Sequence, residues 1–181
     1  MQQVKWFERE FRFETNQNIF PSIIERLWGT PVRLQEKLRL IPVSLLVHRE
    51  DNTWTIKENI GHLADLEPLW QGRLLDILDG KEELRPTDLQ NTRTTNANHN
   101  SKPVEELLSS FAQLRTYTLE LLKSITEEQI FMSALHPRLR TPMRTIDLFL
   151  FVADHDDHHL ATITRLAKHQ STTSILVRPG H

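Results

Sequence analysis

The fold of this chain is decided by residues 145–168, whose sequence is TIDLFLFVADHDDHHLATITRLAK. Apolar residues and two histidines recur there in steps of three and four, which is the period of an amphipathic helix. The stripe consists of Leu148, Val152, His155, His159, Ile163 and Leu166. Two histidines therefore interrupt a core-facing stripe, one helical turn apart. The same phase predicts that His158 and the aspartates of this run lie mostly outward.

Three further helices are predicted upstream. One spans about Phe20 to Leu40 and is interrupted by Gly29-Thr30-Pro31. Since proline lacks an N–H, we expect a kink or a broken helix there, with Thr30 as the N-cap of the next turn. Another helix follows Pro103 and ends near Ser124.

The remaining helix begins at Thr55, which can form a capping box with Glu58, and runs to about Leu78. Pro68 should kink it, and Gly80 is a natural C-cap. Four helices, few strands and long connections between helices 2 and 3 and between helices 3 and 4 predict an all-α four-helix bundle.

The bundle domain is predicted for residues 20–168. The segment 1–19 carries Trp6 and Phe11, and is interpreted either as an apolar strap over the bundle or as a contact with a second subunit. Residues 169–181 are predicted to be a tail. The Asn/Thr-rich connection at 81–100 is long for a compact domain, and such loops are often functional or mobile.

The amino-acid composition excludes several classes of function. The 181 residues suit one domain, and the absence of cysteine excludes disulfides, cysteine-based metal sites and a cysteine nucleophile. With 22 basic and 24 acidic residues, charge offers no case for nucleic acid or an anionic membrane. No secretory signal and no apolar run of roughly 20 residues are found, so we expect a cytoplasmic protein.

Histidine placement predicts a metal site. His62 borders the buried stripe of the second helix, and bundles build metal sites from side chains on facing helices. His62, His155 and His159 are therefore the candidate ligands of one divalent transition metal ion. Three imidazoles at about 2.0–2.1 Å with water as the next ligand describe an open, catalytic type of site.

Other site types fit less well. A di-iron bundle needs Glu-x-x-His on two helices, whereas this chain offers only Asp156-x-x-His159. The HExxH and G-x-S-x-G motifs are absent. Asp65, Asp156 and Asp157 are candidates for carboxylates that orient the imidazoles, or else they are solvated surface charges.

Three stretches carry a family resemblance. TIKENIGHLAD at 55–65, HDDHH at 155–159 and His136-Pro137 resemble the DinB-like (DinB/YfiT) family of metalloenzymes. The resemblance covers roughly residues 20–168. It implies an up-down-down-up bundle that holds one metal ion, most often Zn or Ni, through residues at the positions of His62, His155 and His159. Many members are dimers, so a homodimer is expected.

The resemblance also implies a choice of reactions. Characterised relatives are thiol-dependent S-transferases or isomerases that use bacillithiol, mycothiol or similar low-molecular-weight thiols, and others are known only as metal-dependent hydrolases. Many relatives carry Gln three residues after the second histidine of the pair, where this chain has Thr162. The leading hypothesis is a metal-dependent enzyme that acts on a small molecule by S-transfer or hydrolysis. The alternative is a non-catalytic metal-binding or stress-response module.

Overall fold

The computed structural model describes residues 3–13, 16–51 and 53–173, with the side chains of the last helix described to Lys168. The elements in chain order are α1 (Phe20–Leu38), α2 (Ile56–Leu78), α3 (Thr92–Asn96), α4 (Val104–Lys123), α5 (Glu127–Phe131), β1 (Ser133–Leu135), β2 (Pro142–Arg144) and α6 (Thr145–Thr173). The long helices α1, α2, α4 and α6 form a bundle, which confirms the predicted fold class. The two short strands pair antiparallel ahead of α6.

Hydrogen bonds between helices give their directions. Residue numbers rise together in the pairs that join α1 to α6 and α2 to α4, so each of these pairs of helices is parallel. The pairs are Arg26–Asp154, Lys37–Thr164, Glu67–Arg115 and Gln71–Thr118. Between α2 and α6 the residue numbers change in opposite directions, since Asn59 contacts His159 and Trp70 contacts Phe151. These two helices are antiparallel. The topology is therefore up-down-down-up, as the family resemblance implied.

A parallel α2–α4 pair requires a long return connection, because the chain leaves one end of α2 and enters α4 at the other end. Residues 79–103 make this return, and they contain α3 and a short helical turn at His99–Ser101. Both pieces pack on α2, and Thr94 and His99 are buried. The long connection is therefore ordered in this structure and places polar side chains against α2.

Helix α1 runs unbroken through Pro31, so the predicted break and the N-cap at Thr30 are wrong. Proline removes the N–H that would bond the carbonyl four residues earlier, at Leu27. Arg115 of α4 replaces it, since its Nη1 donates to the Leu27 carbonyl at 3.1 Å. The buried Thr30 hydroxyl donates instead to Asp156 Oδ2 at 2.8 Å.

Helix α2 has the predicted ends. Thr55 and Glu58 form a reciprocal capping box, and Gly80 just after the helix has a φ of 70°. A positive φ costs glycine little because it has no Cβ. The helix is continuous through Pro68, so the buried face of α2 extends over a single helix of 23 residues.

The N-terminal segment lies against α6. The rings of Trp6 and Phe11 are 4.9 Å and 4.8 Å from that of Phe151, centre to centre. At the other end, α6 continues to Thr173, and residues 174–181 of the predicted tail lie outside the described residues. Within the described part of the chain, no helix has both the length and the apolar character needed to cross a membrane.

Candidate metal centre

Helices α2 and α6 bring three distant histidines together. His62 lies on α2, and His155 and His159 lie one turn apart on the antiparallel α6. All three are buried, with 3%, 4% and 6% of their surfaces exposed. One ring nitrogen of each lies within 4.8 Å of those of the other two. The three residues named from the sequence therefore meet in one cluster.

The orientation of His159 is set by a neighbour on α2. Its Nδ1 lies 2.7 Å from Asn59 Oδ1, and the amide nitrogen of Asn59 donates to the Thr55 carbonyl at 2.8 Å. The amide oxygen is thus the acceptor, which assigns the proton of His159 to Nδ1. Its Nε2 lone pair is consequently directed to the cluster, at 3.1 Å from His155 Nε2. Asn59 was not predicted from the sequence, although it lies three residues before His62 on the same helix.

His62 is held by the return connection between α2 and α4. Its Nδ1 lies 3.0 Å from the hydroxyl of Thr94, and this hydroxyl donates to Asp65 Oδ2 at 2.9 Å. The hydroxyl proton is used on Asp65, so Nδ1 of His62 is the donor and Nε2 keeps its lone pair. His99 Nε2 also contacts Asp65 Oδ2, at 2.8 Å. Asp65 therefore orients the imidazole through Thr94 rather than by direct contact.

His155 differs from His62 and His159 in having no hydrogen-bond partner outside the cluster within the described part of the chain. Its Nδ1 is buried and has no hydrogen-bond partner among the described residues. Its Nε2 faces the lone pair of His159 Nε2, so a single proton lies between the two nitrogens. The ring is enclosed by Trp6 and Trp70, with centroids 4.9 Å and 5.9 Å away. A cation would take the place of this proton between the two nitrogens if the proton moved to Nδ1 of His155, and the ring would then bind through Nε2 and stay neutral.

Burial keeps all three imidazoles neutral. Desolvation lowers the pKa of His62 to about 4. It also holds the pKa values of His155 and His159 well below 6.5, and the neighbouring imidazoles add to the effect. A neutral imidazole is the form that binds a metal ion, so the cluster needs no deprotonation near pH 7. Three neutral nitrogen donors suit a transition metal ion, and the chain holds no competing thiolate.

A cavity of about 250 Å³ opens beside the cluster. Its walls around the histidines are aromatic, and its other end is polar. The aromatic lining residues are Trp6, Phe7, Trp54, Trp70 and Phe151, and the ionisable ones outside the cluster are Arg73, Asp88, His136, Arg138 and His158. A small organic molecule therefore fits against the three histidines, with most of its surface on aromatic rings.

The acidic run of α6 differs from its prediction at one position. Asp156 is buried rather than outward, because Arg115 donates to both of its oxygens. Asp157 binds Arg26 and Arg33, which lie on α1. The described hydrogen bonds of Asp156 and Asp157 join neither to an imidazole of the cluster, so the orienting role proposed for these two carboxylates is not seen.

His158 is half-buried and lines the same cavity. The amide nitrogen of Gln3 donates to its Nδ1 at 2.8 Å, and the Trp6 ring lies 5.6 Å away. The N-terminal segment therefore covers His158 from outside. It is closer to the site than its helical phase predicted, yet it is absent from the set of three converging donors.

A four-helix bundle with a buried set of histidines on facing helices is the class of protein that this geometry defines. A family model of the DinB superfamily matches residues 26–163. The chain therefore belongs to the DinB superfamily, which confirms the resemblance seen in its sequence.

Solved structures share the fold. YfiT from Bacillus subtilis, described as a probable metal-dependent hydrolase with an unusual four-helix bundle topology, superposes with a TM-score of 0.77 at 23% identity. The match covers 91% of this chain and 94% of that one. An uncharacterised protein from Clostridium difficile 630 matches with a TM-score of 0.63 at 14% identity, over 90% and 100% of the two chains. The curated proteins contain no match.

Proposed function

We propose that this protein is a metal-dependent enzyme of the DinB superfamily whose ion is held by His62, His155 and His159. The observation that carries the proposal is the convergence of three buried, neutral imidazoles, two of which have Nδ1 fixed by hydrogen bonds that leave Nε2 unprotonated. Such outer contacts hold the tautomer and the ring orientation that a metal ligand needs. Zn and Ni are the ions that suit this set.

Hydrolysis of a small organic molecule is the first reaction class that we propose. Three protein ligands would leave one coordination position of the ion open. A water molecule or thiol in that position would have its pKa lowered by the ion, which would act as a Lewis acid. The chain's own residues orient the reactants and restrict water. Trp6, Trp54 and Trp70 contact the histidines and line the cavity in which a substrate would lie. The metal-dependent activity attributed to YfiT agrees with this class.

Thiol transfer is the second class, and one observation favours it. The rings of Trp54 and Trp6 lie 4.5 Å from His62 and 4.9 Å from His155. Sulfur makes favourable contacts with aromatic rings, so this wall suits the sulfur of a low-molecular-weight thiol. The chain has no cysteine, and the sulfur would therefore arrive with the cosubstrate.

Metal analysis and a paired activity screen test the proposal. We expect about one equivalent of Zn or Ni in the wild-type protein, and its loss in His62→Ala and His155→Ala with little change in helical circular dichroism. His158→Ala, on the same helix turn, is the matched control and should retain the ion. Metal far below one equivalent after reconstitution with either ion contradicts the site.

The screen then separates the reaction classes. The metal-loaded protein is assayed with an ester and amide panel, and in parallel with bacillithiol, mycothiol and glutathione plus generic electrophiles. Turnover that is lost in His62→Ala identifies the class. Full metal occupancy with no turnover in either panel would favour the non-catalytic metal-binding module instead.

A further inference from the structure

The polar end of the cavity contains an arginine whose charge is not matched by a carboxylate. Arg73 of α2 is 1% exposed and lines the cavity. Its Nε donates to the Arg85 carbonyl at 3.1 Å, but its Nη2 has no hydrogen-bond partner among the described residues. In the same part of the chain no carboxylate oxygen lies within 4 Å of its guanidinium, although thirteen of the seventeen ion pairs there involve an arginine other than Arg73. A buried guanidinium without an anion is costly, so its retention calls for a ligand.

His136 adds a second donor at the same place. Its Nδ1 accepts the backbone N–H groups of Arg138 and Leu139, each at 3.1 Å. The proton of the neutral ring is therefore on Nε2, which lies 3.2 Å from Arg73 Nη1. Arginine nitrogens only donate, so two buried donors face each other with no acceptor between them. An oxyanion that accepts from both would remove this conflict.

The charges around this point favour a monoanion. Arg138 lines the cavity, is half-buried and forms none of the described ion pairs; its guanidinium lies 5.4 Å from the Phe7 ring centre. Asp88 is the one carboxylate among the lining residues, and its two oxygens accept the backbone N–H groups of Gln90 and Thr92. Asp76 and Arg85 also act on Arg73, but they pair with each other, and their charges offset. Among the lining residues, two cations and one carboxylate therefore leave about one positive charge for a ligand.

We propose that Arg73, His136 and Arg138 form an anion-binding subsite that holds a carboxylate of the substrate while its reacting group lies at the three histidines. This proposal deepens the proposed function. It rests on that function for the assignment of the reacting group to the three histidines. A carboxylate matches the subsite better than a phosphate dianion does, because a planar monoanion needs few donors and one positive charge.

The subsite also sets the length of the substrate. Arg73 follows His62 by eleven residues on α2, which is three turns on the same face and about 16 Å along the axis. The path across the cavity is shorter, because the Arg73 guanidinium lies 5.6 Å from the Trp70 ring centre and that ring lies 5.9 Å from the ring of His155. The substrate class is a small, partly apolar carboxylic acid whose reacting group is several bonds from its carboxylate.

Calorimetric titration of the zinc-loaded protein tests the subsite with 4-phenylbutyrate, its neutral amide 4-phenylbutanamide, and phenyl phosphate. Wild type should bind the carboxylate about 10- to 100-fold tighter than the amide, as expected for charged hydrogen bonds. Arg73→Met should abolish this preference with zinc content unchanged, and Arg73→Lys should restore part of it. Arg140→Met, an exposed arginine of the same loop outside the cavity, should behave as wild type.

The same titrations separate this proposal from the metal site. A carboxylate that binds the ion instead would keep its preference in Arg73→Met and lose it in His159→Ala, which overturns the subsite. Binding at the subsite survives in His159→Ala even if the proposed function fails. Phenyl phosphate that binds more tightly than the carboxylate overturns the carboxylate assignment.

Circular dichroism verifies that Arg73→Met is folded. Should it fail to fold, Arg138→Met decides in its place, because this side chain is half-buried and forms none of the described ion pairs. A several-fold loss of carboxylate preference in Arg138→Met supports the subsite, and an unchanged preference overturns it.

Discussion

At the scale of single residues, the tautomer of each histidine is the property on which the site depends. Thr94 and Asn59 fix the Nδ1 protons of His62 and His159, and both contacts are buried. Neither residue would be a ligand, yet each decides which nitrogen faces the cluster. Outer contacts of this kind typically alter metal affinity by about 10- to 100-fold.

Removal of the Thr94 hydroxyl should weaken the site without unfolding the protein. Thr94→Val keeps the shape but leaves His62 Nδ1 without an acceptor, so we expect metal affinity to fall about 10- to 100-fold by competition with a chelator. Thr95→Val, at the exposed neighbouring position of α3, is the control and should retain wild-type affinity. Equal affinities in the two variants would contradict the role of Thr94.

The neutral histidines should make the metal-free protein sensitive to acid. Burial lowers the pKa of His62 and of His136 to about 4, whereas the unfolded chain titrates near 6.5. Between these values the unfolded state binds protons that the folded state does not, so the free energy of unfolding falls as the pH falls. The contribution of these histidines to stability is complete above about pH 6.5. Each such group changes it by up to about 1.4 kcal/mol per pH unit.

Urea unfolding of the metal-free protein at pH 7, 6 and 5 measures this dependence, in a range above the ordinary titration of most carboxylates. The slope should decrease in His136→Gln, which removes one titrating group while His62 remains. A free energy of unfolding that is constant or rises toward pH 5 would be the opposite of this expectation.

At the scale of elements, the close approach of the 79–103 connection to α2 depends on one glycine. A Cβ at Gly61 would overlap Cγ of the His99 ring, whose Nε2 donates to Asp65 Oδ2 at 2.8 Å. The connection therefore reaches Asp65 and His62 only because residue 61 has no side chain. The up-down-down-up topology and the histidine cluster are linked at this point, since the same return segment makes the reversal and contacts His62.

Gly61→Ala should displace His99 and loosen the contacts behind His62. We expect a loss of about 1–3 kcal/mol in stability from overpacking, and weaker metal retention. Gly29→Ala is a matched control in α1, because its Cβ would meet only Arg33 Nε at 3.9 Å. Alanine should stabilise that helix by roughly 0.5–1 kcal/mol. Thermal unfolding compares the two, and equal or greater stability of Gly61→Ala would refute the packing argument.

At the scale of the whole molecule, Arg115 joins all four long helices. From α4 it donates to Glu67 of α2 at 2.6 Å, to Asp156 of α6 at 2.6 Å and to the Leu27 carbonyl of α1 at 3.1 Å. Both carboxylates are completely buried. The guanidinium compensates two buried negative charges and the carbonyl left open by Pro31, so its loss would be felt across the bundle.

Arg115→Met should destabilise the protein by about 3–5 kcal/mol, because it leaves Glu67 and Asp156 buried without their cation. Lys123→Met, at an exposed pair with Glu120 on the same helix, should change stability by less than about 0.5 kcal/mol. Chemical denaturation measures both. Additional replacement of both carboxylates by Leu should recover part of the loss, and a small effect of Arg115→Met alone would argue against its central role.

The sequence by itself determined the four helices, the capping box at Thr55 and the inward phase of His155 and His159. These follow from local periodicity and local hydrogen bonds, which depend on residues three and four apart. Only the tertiary structure decided what the helices meet. The burial of Asp156, the continuity of α1 through Pro31 and the unmatched charge of Arg73 each depend on partners supplied by other segments.

The same division runs through the metal centre. Three histidines were found because their helical faces are visible in the sequence, whereas Thr94 and Asn59 were not, since neither has a local pattern that points to an imidazole. Asn59 meets His159 across two helices, and Thr94 reaches His62 by the return connection. Contacts between distant segments are set by the topology of the bundle, and for that physical reason no window of sequence contains them.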